Sequence, residues 1–221
     1  MNKIDPRIKK VVASAEEVEQ RTAELAKWID EKYKDSVPVC VALLRGAIPF
    51  YAKTIMKVTI DINTDYIVCT SYANTVTQMS SPKIVTDLDT DIKGRDVILF
   101  DDVLDSGRTA KALIDFLKVR QPRSIAFVVL IDKPYRRAVD FKADWACFTA
   151  PDYYVVGCGC DYKDTMRNLN YVGILRTDLF FENAEEAERA ALKKEEEKLR
   201  SAQEEITKIK KRLEELEKKK Q

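Results

Sequence analysis

The sequence predicts an α/β domain with a mostly parallel, twisted sheet flanked by helices, followed by a long C-terminal helix or coiled coil. Helix-like and strand-like patterns alternate over residues 1–182, and the strand-like runs are continuously apolar. Such runs are typical of parallel strands that are covered by helices on both faces. Residues 183–221 contain no proline, glycine or aromatic side chain, which favours one uninterrupted helix there.

The elements of the first domain are predicted from caps and apolar runs. A helix over residues 14–34 has Ser14 as its cap and Glu17 at the capping-box position. A helix over 49–57 has proline near its first turn, where proline is tolerated. A third helix is predicted over 108–120. Strands are predicted over 37–44, 65–72, 83–88, 96–100, 124–131 and 154–157, with 83–88 as a hairpin arm.

The C-terminal segment carries a heptad pattern. Leu192, Leu199, Ile206 and Leu213 recur every seven residues, and the positions between them are rich in Glu and Lys. We therefore predict two domains, residues 1–182 and residues 183–221. The second is a coiled-coil oligomerisation or docking arm, or a single stable helix, and the pattern does not choose among these.

Composition excludes several classes of function. The net charge of +1 indicates neither nucleic acid nor an acidic membrane as a partner, and no apolar run is long enough to span a membrane. Histidine is absent, which excludes a Ser-His-Asp hydrolase and a histidine-ligated zinc enzyme. Five cysteines without an apolar N-terminal signal favour reduced thiols and a cytoplasmic protein.

The richest chemistry follows the predicted strand over 96–100. Asp101 and Asp102 stand at the carboxyl end of this strand, where open parallel sheets bind ligands, and Asp105 follows shortly after. Two adjacent carboxylates can hold vicinal hydroxyls or a Mg²⁺ shell, and a third is available for proton transfer. Ser106, Gly107, Arg108 and Thr109 open a helix, so that backbone amides and hydroxyls can bind one phosphate.

The alternative is a capped strand-to-helix turn with no ligand. Three acidic residues directly after a buried strand are costly as structure alone, because burying a carboxylate without a partner is unfavourable. We therefore favour a binding site.

Residues 97–110 closely resemble the phosphoribosyl-pyrophosphate motif of type I phosphoribosyltransferases. The resemblance extends over residues 10–177 and is strongest to the hypoxanthine-guanine phosphoribosyltransferases. Four further segments carry it, in the family's order: Leu43-Leu44-Arg45-Gly46 for the pyrophosphate loop, in which an Arg-Gly pair commonly adopts a cis peptide; Ser71-Tyr72 for the mobile loop; Lys133-Pro134 for the base; and Pro151 to Gly157 with Asp161-Tyr162 and Arg167 for the purine and metal segment.

The resemblance implies a role for each matching residue. Asp101 and Asp102 hold the ribose hydroxyls and, with Asp161, the Mg²⁺ ion. Asp105 takes the proton from N7 of the purine. Lys133 donates to O6, Tyr154 stacks on the ring, and the backbone of Val155 meets its edge. The remaining residues bind the phosphates and close the site: Arg45, Gly46, Ser71, Tyr72, Ser106, Gly107, Arg108, Thr109 and Arg167.

The function implied by the resemblance is purine salvage. Phosphoribosyl pyrophosphate and hypoxanthine or guanine would give IMP or GMP and pyrophosphate, with Mg²⁺ as cofactor. Cys160 stands where a larger aliphatic residue is common, which leaves the preference among guanine, hypoxanthine and xanthine open. The family fold adds a small hood, and we expect a homo-oligomer, a dimer or tetramer, through or alongside the C-terminal helix. A non-catalytic module that binds phosphoribosyl pyrophosphate or a nucleotide is the alternative.

Overall fold

A computed structural model describes residues 4–70 and 83–176, together with Asp178, Arg200 and Gln203. The chain divides into two compact units, Met1–Leu175 and Arg176–Gln221. The second unit lies almost wholly outside the described residues, as do Ser71 and Tyr72. The boundary after residue 182, the heptad pattern and the C-terminal helix therefore stay predictions.

The elements of the first unit alternate between strands and helices. In chain order they are β1 (Ile8–Ala13), α1 (Ala15–Lys32), β2 (Val39–Leu44), α2 (Ile48–Ile55), β3 (Asn63–Thr70), β4 (Lys83–Thr86), β5 (Asp96–Leu104), α3 (Arg108–Lys118), β6 (Ser124–Asp132), β7 (Trp145–Thr149), β8 (Val155–Val156) and β9 (Val172–Leu175). A single turn of 3₁₀ helix spans Pro134–Arg136.

The main sheet confirms the predicted mostly parallel α/β fold. Its six strands lie in the order β4-β3-β2-β5-β6-β7. The pairs β2–β3, β2–β5, β5–β6 and β6–β7 are parallel, whereas β4 pairs antiparallel with β3 at one edge, as expected of a hairpin arm. The carboxyl ends of β2, β5 and β6 therefore meet at one edge of the sheet, where the predicted site residues lie.

Both faces of this sheet are buried, which explains its continuous apolar runs. On one face, Phe100 of β5 packs in a cluster with Leu25 and Ile29 of α1 and Phe50 of α2. On the other face, Leu99 packs in a second cluster that contains residues of α3. Alternate residues of one strand thus belong to different cores, because successive side chains point to opposite faces.

The first helix begins as the sequence predicts. The Ser14 hydroxyl accepts a hydrogen bond from the Glu17 amide at 3.1 Å, and the Glu17 carboxylate accepts one from the Ser14 amide at 2.7 Å. This capping box satisfies two amides that the helix itself cannot. The helix ends at Lys32, two residues earlier than predicted, with Tyr33 as its C-cap.

The structure corrects the predicted bounds of several strands, and two of these corrections bear on the site. The strand predicted to end at Phe100 continues to Leu104, because its backbone ladder with β6 persists beyond the apolar side chains. Asp101 and Asp102 therefore lie within a strand rather than after it. The strand predicted over 154–157 shrinks to Val155–Val156, and this strand belongs to a separate antiparallel sheet with the order β1-β9-β8. This small sheet is the part of the fold that could form the expected hood.

Candidate active site

The end of β5 and the start of α3 form a turn suited to an anion. Gly107 is the N-cap of α3 and has a φ of +78°, a left-handed conformation that favours glycine. A Cβ at this position would lie 3.0 Å from the Arg137 side chain and 3.2 Å from that of Phe141. Since glycine has no side chain, Gly107 leaves the first-turn amides of α3 available to a bound anion.

Two carboxylates stand beside this turn on β5. Asp101 is buried, and burial together with the neighbouring charge of Asp102 raises its pKa well above the usual value. The Asp101 carboxylate accepts a hydrogen bond from the Asp102 amide at 2.9 Å. Among the described residues, no basic side chain forms an ion pair with Asp101. A buried carboxylate in this setting favours a proton, a hydroxyl or a cation beside it.

The loop that follows β2 lies against Asp102. A Cβ added to Gly46 would fall 2.1 Å from Oδ2 of Asp102, so only glycine allows this approach. The cis peptide bond of this loop joins Leu44 to Arg45, one bond earlier than the Arg-Gly pair expected from the family resemblance. Arg45 itself is exposed and pairs with Asp164, with 2.7 Å between Nη2 and Oδ1.

A third segment, residues 152–167, covers the other side of the site. A Cβ on Gly159 would lie 1.9 Å from the carbonyl oxygen of Gly46, so this segment contacts the loop after β2. The Arg167 guanidinium lies 2.7 Å from the Asp161 carboxylate and donates to the Gly159 carbonyl at 2.7 Å. The predicted metal ligand Asp161 and the predicted pyrophosphate ligand Arg167 are therefore direct neighbours.

Lys133 follows β6 and points into the same region. It is 7% exposed, and its ammonium donates to the Tyr153 carbonyl at 2.8 Å. Burial lowers the pKa of Lys133, while the nearby negative charge of Asp105 opposes that change. This environment is unlike that of an ordinary solvated loop lysine.

These segments line an open cavity of about 180 Å³. Its lining brings together residues that are far apart in sequence: Asp102, Val103, Lys133, Tyr154, Val155, Cys160 and Asp161. Tyr154 is half-exposed, and its ring meets that of Tyr162 edge-on with 6.0 Å between centroids. The structure therefore places Asp102, Lys133, Tyr154, Val155 and Asp161 around one space, as the sequence predicts.

Other predicted residues lie beside this cavity rather than in its lining. The lining drawn from the described residues does not include Asp105, Ser106, Arg108, Thr109, Arg45 or Arg167. Asp105 faces Arg136 instead, with 2.6 Å between Oδ1 of Asp105 and Nε of Arg136. Among the described residues, no cluster of three or more potential metal ligands is present.

The sequence analysis missed three residues of this region. Arg136 contacts the carboxylate of Asp105, Arg137 donates to the carbonyls of Leu104 and Asp105, and Asp164 pairs with both Arg45 and Arg167. The pair Arg136-Arg137, which follows Lys133-Pro134 after Tyr135, is a usable signal, because long cations next to a site rich in carboxylates tend to pair with them.

Comparison with known proteins first defines the class. A family model described as a phosphoribosyl transferase domain matches residues 11–163. The chain belongs to the phosphoribosyltransferase family, and its α/β fold with a mostly parallel six-stranded sheet agrees with that assignment.

Within the family, the similarity is to hypoxanthine-guanine phosphoribosyltransferases. The chain is 40% identical over 177 residues to the enzyme of this name from Streptococcus mutans, covering 80% of this chain and 98% of the relative. It is 38% identical over 173 residues to that of Bacillus subtilis, covering 78% and 96%.

Solved structures give the same result. A hypoxanthine phosphoribosyltransferase from Staphylococcus aureus superposes with a TM-score of 0.78 at 30% identity, covering 82% of this chain and 99% of the other. The enzyme from Trypanosoma cruzi in a ternary complex with substrates reaches a TM-score of 0.76 at 28% identity, with 80% and 100% coverage.

Proposed function

We propose that this protein is a hypoxanthine-guanine phosphoribosyltransferase of purine salvage. It transfers the 5-phosphoribosyl group from phosphoribosyl pyrophosphate to hypoxanthine or guanine, giving IMP or GMP and pyrophosphate. One observation carries the proposal: Asp102, from the strand before the phosphate turn, lines the same cavity as Lys133, Tyr154 and Asp161. The relatives of this name, which match over nearly their whole length, support it.

The phosphate side of the substrate fits the turn before α3. Ser106, Gly107, Arg108 and Thr109 bind the 5′-phosphate through first-turn amides, hydroxyls and the positive end of the helix dipole. Asp101 and Asp102 accept hydrogen bonds from the ribose hydroxyls. Asp102 is suited to this role because it lies both beside the turn and at the cavity.

The pyrophosphate needs cations and backbone donors as it leaves. Arg45 and Arg167 supply positive charge from two segments that meet at Asp164, and the Gly46 backbone lies directly against Asp102. Preorganised charge of this kind stabilises a leaving group more in the transition state than in the ground state. Ser71 and Tyr72, which lie outside the described residues, would close the site against water.

The base side explains a preference for 6-oxopurines. Lys133 is held at the cavity by its hydrogen bond to Tyr153, so that its ammonium can donate to a purine O6. An amino group at the same position of adenine presents donors and would offer Lys133 no acceptor from the base. Tyr154 supplies an aromatic face for stacking, and the Val155 backbone can bond to the edge of the ring.

Proton transfer falls to Asp105. As C1 of the ribose bonds to the purine, the N7 proton becomes acidic, and a carboxylate at this position can accept it. Asp105 is the residue after the end of β5, and its negative charge acts on Lys133, which links it to the base pocket. A carboxylate base also fits a chain that contains no histidine.

We further propose that a Mg²⁺ ion takes part. Carboxylate oxygens are the ligands this ion prefers, and it commonly uses one or two of them together with water and substrate phosphates. Asp102 and Asp161 both line the cavity, and Asp101 is a buried carboxylate without an ion-pair partner among the described residues. These three residues would hold the ion, which supplies charge neutralisation of the pyrophosphate when bound.

The remaining expectations concern the whole chain. We propose a homo-oligomer, a dimer or tetramer, assembled through or alongside the segment 183–221, and a cytoplasmic location. No helix among the described residues has the length and apolar character to cross a membrane. The five cysteines carry free thiols in the structure, and four of them are buried.

The direct test is an assay with phosphoribosyl pyrophosphate, Mg²⁺ and each of guanine, hypoxanthine, xanthine and adenine. Turnover with guanine or hypoxanthine and none with adenine is the expected result. Binding of phosphoribosyl pyrophosphate without turnover of any base would instead indicate the regulatory module.

A further inference from the structure

We propose that Arg136 is a positioning residue for the reaction, acting through the carboxylate of Asp105. The inference rests on the proposed function, since it requires Asp105 to be the base. Arg136 joins two carboxylates: its Nε lies 2.6 Å from Oδ1 of Asp105, and its Nη1 donates to Asp152 at 2.7 Å. We call this set of three residues the Arg136 bridge.

The bridge connects the two halves of the site. Asp105 follows β5 on the phosphate side, whereas Asp152 lies two residues before Tyr154 in the segment that forms the purine side. A base and the ring that it deprotonates must be held within hydrogen-bond reach of each other. A side chain bound at once to both segments can set this separation.

The backbone around Arg136 is itself fixed. Arg136 lies in the 3₁₀ turn Pro134–Arg136, which Pro134 opens and in which the Arg136 amide donates to the Lys133 carbonyl at 3.0 Å. The same turn presents Lys133 to the cavity. Lys133, the proposed O6 donor, and Arg136 are therefore carried by one short turn.

Arg137 supports Asp105 from the other side. Its guanidinium donates to the Leu104 carbonyl at 3.0 Å and contacts the Asp105 carbonyl and the Asp132 carboxylate. Arg137 thus holds the backbone of Asp105, while Arg136 holds its side chain. Oδ1 of Asp105 is inaccessible to solvent and accepts no hydrogen bond from the described residues, so its 2.6 Å contact with Nε of Arg136 is an ion pair without hydrogen-bond geometry. Arg136 is the only cation that the described residues place in contact with this oxygen. Without Arg136 this carboxylate can rotate away from the purine.

The ion pairs of the bridge are half-exposed, so their contribution to folding stability is small. The expected effect of losing Arg136 is therefore on the reaction rather than on the fold. Removal should lower kcat and leave binding of phosphoribosyl pyrophosphate unchanged, because the phosphate turn does not include Arg136.

The test is a double-mutant cycle between Arg136→Met and Asp105→Asn, with kcat and both KM values measured on the full chain. Arg136→Met should lower kcat about tenfold, and Asp105→Asn about a hundredfold or more. Because Arg136 acts through Asp105, the double variant should lie within about twofold of Asp105→Asn alone. If Asp105→Asn falls below detection, Asp105→Glu provides the second background for the same cycle.

Two further variants separate positioning from structure. Arg136→Lys should restore part of the lost kcat, because a lysine keeps the charge but reaches only one carboxylate. Arg120→Met removes a surface arginine that pairs with Asp87 and should leave kcat and both KM values as in the wild type.

The outcomes distinguish the two proposals. No turnover by the wild type with any base would refute the proposed function itself. An active wild type whose Arg136→Met variant keeps its kcat would refute the role of Arg136 alone. Multiplicative effects in the double variant would also refute it, since Arg136 would then act independently of Asp105.

Discussion

Buried charged side chains lie at both ends of the main sheet, but they are paired with partners at one end and incompletely paired at the other. Among the described residues, the buried charged side chains are Asp96, Asp101 and Lys133. Asp96 begins β5, while Asp101 near the end of β5 and Lys133 just after β6 lie at the other edge of the sheet. One strand therefore carries two buried aspartates, one at its start and one in its second half. Comparing them shows how the surroundings of a buried carboxylate change its pKa.

Asp96 is fully satisfied. Its carboxylate accepts hydrogen bonds from Arg123 Nε at 2.9 Å, from the Ser124 hydroxyl at 2.7 Å and from the Ser36 hydroxyl at 2.9 Å. The hydrogen bonds from Arg123, followed by those from the two serines, hold the pKa of Asp96 far below its usual value despite its burial. The hydrogen bonds of Asp96 therefore stabilise the fold at this end of the sheet.

At the opposite edge of the sheet, the buried charged groups are not fully neutralised by partners. Burial and the neighbouring Asp102 charge raise the pKa of Asp101, and burial lowers that of Lys133, so each group is displaced toward its neutral form. Groups in this state gain from a substrate or a cation that restores their partners. The incompletely paired charges of Asp101 and Lys133 therefore lie at the edge of the sheet where we propose that the substrates bind.

Among the residues of this comparison, the largest effect is expected at Asp101. Asp101→Asn should lower kcat/KM about a hundredfold or more, because a carboxylate that binds ribose and metal is replaced by a neutral amide. Its melting temperature should stay equal to or above that of the wild type, since a buried carboxylate without an ion-pair partner is removed. A lower melting temperature with unchanged kcat/KM would contradict the claim that Asp101 serves the reaction rather than the stability of the fold.

A smaller effect is expected at Lys133. Lys133→Met should raise the KM for hypoxanthine or guanine about tenfold to a hundredfold, the cost of one charge-assisted hydrogen bond to the base. The KM for phosphoribosyl pyrophosphate should change much less, because Lys133 lies on the purine side of the cavity. Steady-state kinetics with each substrate varied in turn would show this, and an unchanged KM for the base would contradict it.

Asp96→Asn should affect stability rather than rate. Loss of its charge-assisted hydrogen bonds should lower the free energy of unfolding by about 2 kcal/mol, a value discounted for the half-exposed side chain of Arg123. The kcat of the folded variant should equal that of the wild type. Asp87→Asn, which breaks the exposed pair with Arg120, is the matched control and should cost about 0.5 kcal/mol or less.

Asp96→Asn should also change how the free energy of unfolding depends on pH. Because the folded pKa of Asp96 lies below its ordinary value of 3.8, its stabilisation is present above that pH and is lost as the pH falls through the folded pKa. Urea unfolding should therefore show the full difference between wild type and Asp96→Asn at pH 7. The difference should shrink in strongly acidic solution, and a difference that grows there would contradict the assignment.

The smallest effect on catalysis is expected from the segment 183–221. A chain that ends at Glu182 should keep its kcat but show fewer subunits per particle by light scattering, because the proposed oligomerisation arm is missing. An unchanged number of subunits would remove the oligomerisation role. A large loss of kcat would instead show that residues 183–221 contribute to the active site.

Much of the fold follows from local patterns. The capping box of Ser14 and Glu17, the continuous apolar strands and the turn at Gly107 each depend on neighbouring residues, so the sequence predicts them. Strands β1, β7 and β9 were not predicted. They are short, and β1 carries Lys9 and Lys10 within its run, so that tertiary pairing rather than composition defines them.

The candidate site also contains residues that local sequence predicts and residues that it does not. The predicted phosphate turn lies in one continuous motif. Residues 133, 154 and 161 are assigned to the purine side by their resemblance to family segments, and the structure places them around one cavity. The Arg136 bridge and the contact of Asp164 with Arg45 and Arg167 were missed. Ion pairs between residues far apart in the chain have no periodicity, and only the fold brings them together.

Asp105→Asn tests the central claim that the end of β5 performs the chemistry. Calorimetry should show that the variant binds phosphoribosyl pyrophosphate like the wild type, because the phosphate turn and its neighbouring carboxylates are intact. Its kcat with hypoxanthine should fall about a hundredfold to ten-thousandfold, the usual contribution of a general base. A variant that turns over hypoxanthine at nearly the wild-type rate would contradict the account.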